Sequence, residues 1–472
     1  MSLTKKVAYN TIVQVASRVL IKAISLVTIG YLTRYLGTTG FGEYTTVFAY
    51  LGFFSVLIDF GLYPILVREI AKNESKASYI LGNIAGLRIV LSFLVLSVAF
   101  LVSLFLPYSA NVKFGITVAA FSLFFTFLNQ IFVGIFQVRL RMDLAALGDV
   151  LGRIVVFSLV LLFIYKHLGF LLIISTAVFG NLAQTVLSFL LSRKYIHFNF
   201  TFDFSFWRKI FKITLPLAVV SILGIIHFKV DTLILSLLKP ASDVGIYGAP
   251  YKILEVLISF PAIFVGLIFP TFSRLFAQKA QEDFKRIFQK AFDFLVISAI
   301  PVVVGIFVLA GPIMDLIAGK EFAPSSFVLK ILTLSIFSIF LATLMNDCLI
   351  AVDLQKKLVR IYLVAVIINV CGNIILIPLY SYYGAAIMTV ITESLILVLT
   401  SWAVFKFLKL RPSFSVLFKS FLSAFLMGIV LFWLSGHNLF LLVLIGFFLY
   451  FGLLYSFGGM KKELLLSLIK RD

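Results

Sequence analysis

Apolar residues run along this chain in long blocks, separated by short clusters of glycine, proline and cations. A helix needs about 20 apolar residues to cross a bilayer, and the chain supplies such blocks almost end to end. With turn and charge punctuation as boundaries, the pattern predicts about 14 spans. Their expected limits are 9–36, 40–66, 78–106, 112–138, 144–166, 168–192, 209–238, 242–271, 286–310, 322–351, 357–379, 382–408, 413–435 and 439–457. The opening block is too long for a signal-peptide core and has no small-residue cleavage site, so it is expected to stay as the first span. The longest connections are expected around 193–208 and 275–286, and neither has room for a folded extramembrane domain.

The pattern also repeats. Phe41-Gly42-Glu43-Tyr44 is followed by Pro64-x3-Arg68-x2-Ala71; Val244-Gly245-Ile246-Tyr247 is followed by Pro270-x3-Arg274-x2-Ala277. Each copy reads as a Gly-x-Tyr turn, an apolar stretch and a Pro-x3-Arg-x2-Ala close. An even number of spans separates the copies, so both point the same way, as parallel repeats do. The expected architecture is an all-α integral membrane protein with two six-helix lobes, 1–200 and 201–410. An extra helix pair and tail occupy 411–472. Sequence-related halves in a membrane protein point to transport, with the substrate handled between the halves.

Composition sharpens this reading. Apolar residues make up 62% of the chain and charged residues 13%, with mean hydropathy +1.12. A net charge of +20 would suggest nucleic acid in a soluble protein. Here topology accounts for it, and no nucleic-acid partner is expected. Alternate loops hold roughly 28 basic residues against about five in the others, which places both termini in the cytoplasm. Cys348 and Cys371 lie in apolar segments and read as buried thiols. No phosphate loop, metal cluster or nucleophile elbow is present, so neither a built-in ATPase nor an enzyme is expected. Asn73 and Asn199 match the glycosylation pattern by chance, on the cytoplasmic side.

Charges inside the spans carry the candidate chemistry, because a charge at mid-bilayer costs a few kcal/mol and normally faces a cavity or a partner. Asn10, Gln14, Arg18 and Lys22 recur every four residues and form one slowly winding polar stripe. That stripe either lines a cationic cavity or pairs with acids on other helices. Gly248, Lys252, Glu255 and Ser259 repeat the pattern, and Lys252 can pair with Glu255 on its own helix. Ser221, Gly224, His227 and Asp231 share a face, with Lys229 directed elsewhere and His227 read as a packing residue. Asp149 and Arg153, four apart, default to a local salt bridge. Asp59, Arg88, Asp293 and Asp347 sit nearer the cytoplasmic ends, where snorkelling accounts for a charge. Glu393, mid-span, has no local partner and is the best single candidate for a group that titrates or holds a cation.

The block Arg34-Tyr-Leu-Gly37-Thr-Thr-Gly-Phe41-Gly42-Glu-Tyr44, closing in Gly61-Leu-Tyr-Pro64-x3-Arg68, resembles the first two helices of polysaccharide-transporter flippases. So does Asp231-Thr-Leu-Ile-Leu with Val244-Gly245-Ile-Tyr247-Gly-Ala-Pro-Tyr251-Lys252. Pro312 to Gly319, Asn369-x3-Asn373-x4-Pro378 and Tyr383-Gly384-Ala385-Ala386 fit the later helices, so the resemblance covers roughly residues 5–410. That family is a branch of the multidrug/oligosaccharidyl-lipid/polysaccharide exporter superfamily.

The resemblance implies a V-shaped transporter of two six-helix bundles working by alternating access. Its cargo would be a polyprenyl-(di)phosphate-linked oligosaccharide, moved from the cytoplasmic to the outer leaflet of the plasma membrane for glycan assembly. A cationic cavity suits that anionic phosphate, arginine bidentately and lysine as a point charge. The residues expected there are Arg18, Lys22, Arg88 and Lys252, then Arg153 and Lys229. Tyr31, Tyr247 and Tyr251 could stack on sugar, although packing accounts for each. No cofactor is expected; if H+ or Na+ couples transport, Glu393, Asp231 and Glu255 are the carboxylates to consider. Other polysaccharide-assembly membrane proteins are expected partners. The rivals are a cation-coupled multidrug antiporter of the same superfamily, whose cavity should be acidic, and a membrane-embedded glycan polymerase or ligase, which needs catalytic groups in a sizeable outer loop.

Overall fold

Gly37 divides the longest helical run of the chain. Its backbone sits at φ 65°, ψ −175°, inside a helix that otherwise runs Leu3–Asp59 (α1). Without that break the apolar stretch Ile12–Lys72, 61 residues, would be about 90 Å long, three bilayers deep. Only glycine takes such a φ without strain, so the first two spans are separated where the sequence places this residue. The second span runs on, past a break at Phe60 and Gly61, into α2 (Leu62–Lys72).

The computed structural model describes residues 3–196 and 200–459. Asn199 and the basic tail from Lys461 to Arg471 lie outside the described residues, as do the side chains of Lys5, Lys6 and Ser221. The remaining helices are α3 (Ala77–Phe105), α4 (Ala110–Val138), α5 (Met142–Tyr165), α6 (Phe170–Ser192), α7 (Phe204–Leu238), α8 (Ala241–Leu257), α9 (Ser259–Ala277), α10 (Gln281–Ile317), α11 (Ser325–Ala351), α12 (Gln355–Tyr380), α13 (Tyr382–Phe407), α14 (Ser415–Trp433) and α15 (Leu439–Ser456). Among the described residues, twelve stretches are long and apolar enough to cross a membrane. The first is two crossings joined at Gly37, and the 35-residue α7 adds another, giving the 14 spans of the hydrophobic pattern.

Two expectations are corrected. The Gly-x-Tyr elements are helical, not turns: Gly42 lies within α1 and Gly245 within α8. The lack of a side chain serves close approach instead, since a Cβ on Gly42 would meet the Ala241 carbonyl oxygen at 1.6 Å, and one on Gly245 the Thr38 carbonyl oxygen at 2.0 Å. The connection expected over 275–286 shrinks to residues 278–280. Glu282 and Asp283 suit the first turn of a helix, and Phe284, Phe288 and Phe292 supply a buried stripe that extends α10.

The chain forms two compact units, Met1–Gly248 and Ala249–Asp472. Within the first, α2, α3 and α4 share a core that includes Leu66, Ile70, Leu81, Ile131 and Phe136. Close van der Waals packing of this kind, with small residues at the crossings, holds helices together in lipid. The start of α7 is stitched to the start of α3. The Thr201 amide donates to the Gly82 carbonyl at 3.2 Å, the Asp203 amide to Asn83 Oδ1 at 2.8 Å, and Trp207 Nε1 to the Asn83 carbonyl at 3.0 Å. Asp203 caps α7, accepting from the amides of Ser205 and Phe206. Within the second unit, α14 and α15 pack on α10: Gly428 faces Val304, and the Tyr450 hydroxyl donates to the Ile297 carbonyl at 2.9 Å. Cys348 is buried, but Cys371 is exposed, because its face of α12 is unpacked in the protein.

Candidate functional site

Glycine spacing builds the first polar cluster. A Cβ on Gly152 of α5 would lie 3.0 Å from the Gly180 carbonyl oxygen of α6, and one on Gly180 would lie 2.8 Å from the Gly152 carbonyl oxygen. Such small-residue crossings let helix backbones approach closely. The approach brings Gln184 of α6 to Asp149 of α5, and its Nε2 donates to Asp149 Oδ1. The expected salt bridge between Asp149 and Arg153 does not form among the described residues; Asp149 instead accepts from the amide of the next helix.

Arg153 is exposed, and so is Arg18 on α1. Neither makes a hydrogen bond or ion pair among the described residues, yet both act on the Asp149 charge. Arg18 lies about 9 Å into the apolar stretch that begins at Ile12, and Arg153 about 16 Å along α5, so both fall within the lengths of candidate spans. Lys22 is half-buried one turn on from Arg18. The stripe is anchored below by Asn10, whose Nδ2 donates to the Leu140 carbonyl at 2.7 Å. Above it, Tyr31 is exposed and meets Phe157 edge-on at 6.2 Å between centroids. The structure thus brings Arg18, Lys22 and Arg153 to one region of the first unit.

Arg88 is placed differently. Only 1% exposed, it does not snorkel: Nη2 pairs with Asp59 Oδ1 at 2.8 Å and Nη1 donates to the Phe127 carbonyl at 2.8 Å. Lys229 packs beside Gly52 of α1. Asp231 is buried and accepts from the Tyr247 hydroxyl at 3.3 Å; Tyr247 is itself fully buried, and His227 is buried beside Phe228.

In the second unit Lys252 Nζ donates to Glu255 Oε2 at 2.8 Å, the pairing their spacing allows, and Tyr251 is buried. Gln289 Nε2 donates to Asp293 at 2.8 Å. Glu393 is 6% exposed, in a polar seam of α11, α12 and α13. Along it Asn369 Nδ2 donates to Thr392 Oγ1 at 3.1 Å, and the Ser338 and Ser394 hydroxyls lie 3.2 Å apart. The Tyr362 hydroxyl accepts from Asn346 at 2.9 Å and lies within the field of both Glu393 and Asp347. Sequence reasoning set Asp347 aside as a residue near a helix end. It forms no hydrogen bond or ion pair among the described residues, and only the packing of α12 reveals Tyr362 beside it.

Comparison with known proteins adds to this geometry. The polysaccharide biosynthesis protein family matches residues 4–276, and the MatE family matches residues 216–375. A probable low-salt glycan biosynthesis flippase, Agl15 of Haloferax volcanii, is 24% identical over 90% of this chain and 89% of its own. The probable flippase AglR of the same organism is 29% identical, over 44% of each chain. The structure of the lipid II flippase MurJ in an inward closed conformation superposes with TM-score 0.78 at 16% identity, covering 98% of this chain and all of the other. That likeness is one of fold.

Proposed function

The chain belongs to the polysaccharide biosynthesis protein family, and from that membership we propose a flippase for polyprenyl-(di)phosphate-linked oligosaccharide. It carries this lipid from the cytoplasmic to the outer leaflet by alternating access, with both termini in the cytoplasm as the basic loops require. The observation that carries the reading is the pair Arg18 and Arg153, exposed at membrane depth and without an ion-pair partner among the described residues. An unpaired guanidinium in a membrane span is expensive unless something anionic visits it. A phosphate accepts a bidentate fork from arginine, and Lys22 adds a point charge. Asp149, held by Gln184, tempers the field so that the cargo can leave again.

Lys252 and Lys229 remain candidates for the same cargo. Arg88 is better read as a structural ion pair that fixes α3 against the break at Phe60. Tyr31, the exposed member of the three tyrosines, is the one suited to a sugar. The carboxylates suited to H+ or Na+ are Glu393, Asp231 and Glu255, and we add Asp347 through its shared neighbour Tyr362. Other polysaccharide-assembly membrane proteins would supply and receive the lipid.

The MatE match over 216–375 keeps one rival in view, a cation-coupled multidrug antiporter. Two unpaired arginines disfavour a cationic cargo. The deciding experiment is translocation in proteoliposomes carrying a fluorescent polyprenyl-diphosphate oligosaccharide, with wild type against Arg18→Ala/Lys22→Ala. The flippase reading expects transport by wild type and at least a tenfold loss in the folded double variant. Export of a cationic dye under an ion gradient, with no lipid movement, would overturn it.

A further inference from the structure

We propose that the second unit carries a built site for an anionic glycerophospholipid of the cytoplasmic leaflet, between the turn joining α9 to α10 and the strap joining α13 to α14. This rests on the cytoplasmic placement of the basic loops and not on the identity of the cargo.

Two adjoining clefts define the site. One, of about 460 Å³, is lined by Lys285, Arg286, Lys409 and Arg411, together with Glu282 and Gln289. The other, of about 580 Å³, is walled by Phe276, Phe284, Phe407 and Leu408. Lys285 and Leu410 line both, so a basic mouth opens directly into an apolar furrow. That is the layout of a phospholipid, with its phosphate at the mouth and an acyl chain in the furrow.

The charges are not equivalent. Lys285 pairs with Glu282 at 2.8 Å and Arg286 with Asp283 at 2.7 Å, so both are partly compensated. Lys409 and Arg411 are exposed and form no ion pair among the described residues. They flank buried Leu410, and both line the same cleft.

The strap itself is fixed. Gln289 Nε2 donates to the Ser413 carbonyl at 3.2 Å, and the Ser413 amide returns a bond to Gln289 Oε1 at 2.7 Å. Phe414 meets Phe292 edge-on at 5.9 Å between centroids. Lys409 also holds a positive φ of 54°, a conformation a lysine adopts at some strain. The backbone that carries the two cations is therefore anchored two residues beyond Arg411.

Depth agrees with a lipid. The furrow lies where α9 and α13 end, and Trp402 and Phe407 of α13 are exposed there with Lys406 against both rings. Exposed aromatics and cations at helix ends mark the headgroup level of a bilayer. Basic pockets between helices on the cytoplasmic side take up anionic headgroups in this way.

The test is native mass spectrometry of the delipidated full chain, titrated with phosphatidylglycerol, phosphatidylcholine or glycerol 3-phosphate. Wild type should retain phosphatidylglycerol at least tenfold better than phosphatidylcholine. Lys409→Gln/Arg411→Gln should weaken that binding by about fivefold for each cation removed. Phe276→Ser, at an exposed position, should weaken the lipid and leave glycerol 3-phosphate unchanged. The control Arg68→Gln/Lys72→Gln, at the basic end of α2, should change nothing. Equal retention of the two lipids, or an equal loss in the control, would show general surface charge and overturn the site. Competition by glycerol 3-phosphate as strong as by the lipid would overturn its lipid character.

Discussion

Arg88 and Asp59 are joined at 2.8 Å across α3 and α1, with the guanidinium 1% exposed and the carboxylate half-buried beside the helix break at Phe60. Removing one partner strands the other. Asp59→Ala is expected to destabilise by about 3–5 kcal/mol, the usual result of leaving a buried charge alone. Asp59→Asn/Arg88→Met should be milder than either single change. Thermal unfolding in detergent checks the order, and additive losses in the double variant would sink the assignment.

Gly42 and Gly245 admit no side chain. Alanine at either position would push its Cβ to 2.0 Å or less from a backbone carbonyl oxygen, so the helices must separate. Gly42→Ala and Gly245→Ala should each lower folded yield severely. Gly224→Ala, where nothing lies within 4 Å, should be neutral or slightly stabilising, since alanine favours helix. Size-exclusion profiles of the three variants separate these outcomes.

Asp149 tempers the cationic cluster. Asp149→Asn keeps a partner for Gln184 and removes the negative charge next to Arg18 and Arg153. Cargo binding should tighten while turnover falls, because release becomes slower. Binding and transport measured on the same proteoliposomes check this, and a parallel loss of both would count against the role.

The cap at Asp203 sets a pH signature. The Tyr79 hydroxyl, then the Phe206 and Ser205 amides, hold this carboxylate below its ordinary 3.8. A depressed value means the cap contributes fully above the ordinary carboxylate range and fades as pH falls through the lowered one. Protection of the Ser205 and Phe206 amides against hydrogen exchange should therefore decline only below about pH 4. Asp203→Asn, which caps without a charge, should show no such decline.

Glu393 should report coupling. If this buried carboxylate exchanges H+ or Na+ during transport, Glu393→Gln retains the seam with Asn369 and Thr392 but loses gradient dependence. Transport rates with and without an imposed gradient decide it; an unchanged dependence would move attention to Asp347.

The spans were legible in the sequence because each depends on residues within one helix, although the connection over 275–286 was drawn too long. Lys252 and Glu255 pair as their spacing says for the same reason. Pairings between helices were hidden. Arg88 and Asp59 lie 29 positions apart, and nothing local joins them. Asp149 looked committed to Arg153 until Gly152 and Gly180 brought Gln184 within reach. The repeated glycines were visible but misread, since a missing Cβ serves a tight crossing as well as a turn. Asp347 was set aside as a charge near a helix end because its significance lies with Tyr362 on the following helix.

The stitching of α3 to α7 has a consequence for biosynthesis. Gly82 and Asn83 are made more than a hundred residues before Thr201, Asp203 and Trp207 exist to satisfy their oxygens. At the ribosome's pace of about 5–20 residues per second, these acceptors wait about 6–25 s without their final partners. During that interval α3 is open to mispairing, so a damaged stitch should appear first as poor insertion and degradation of nascent chains, even where the finished protein melts normally.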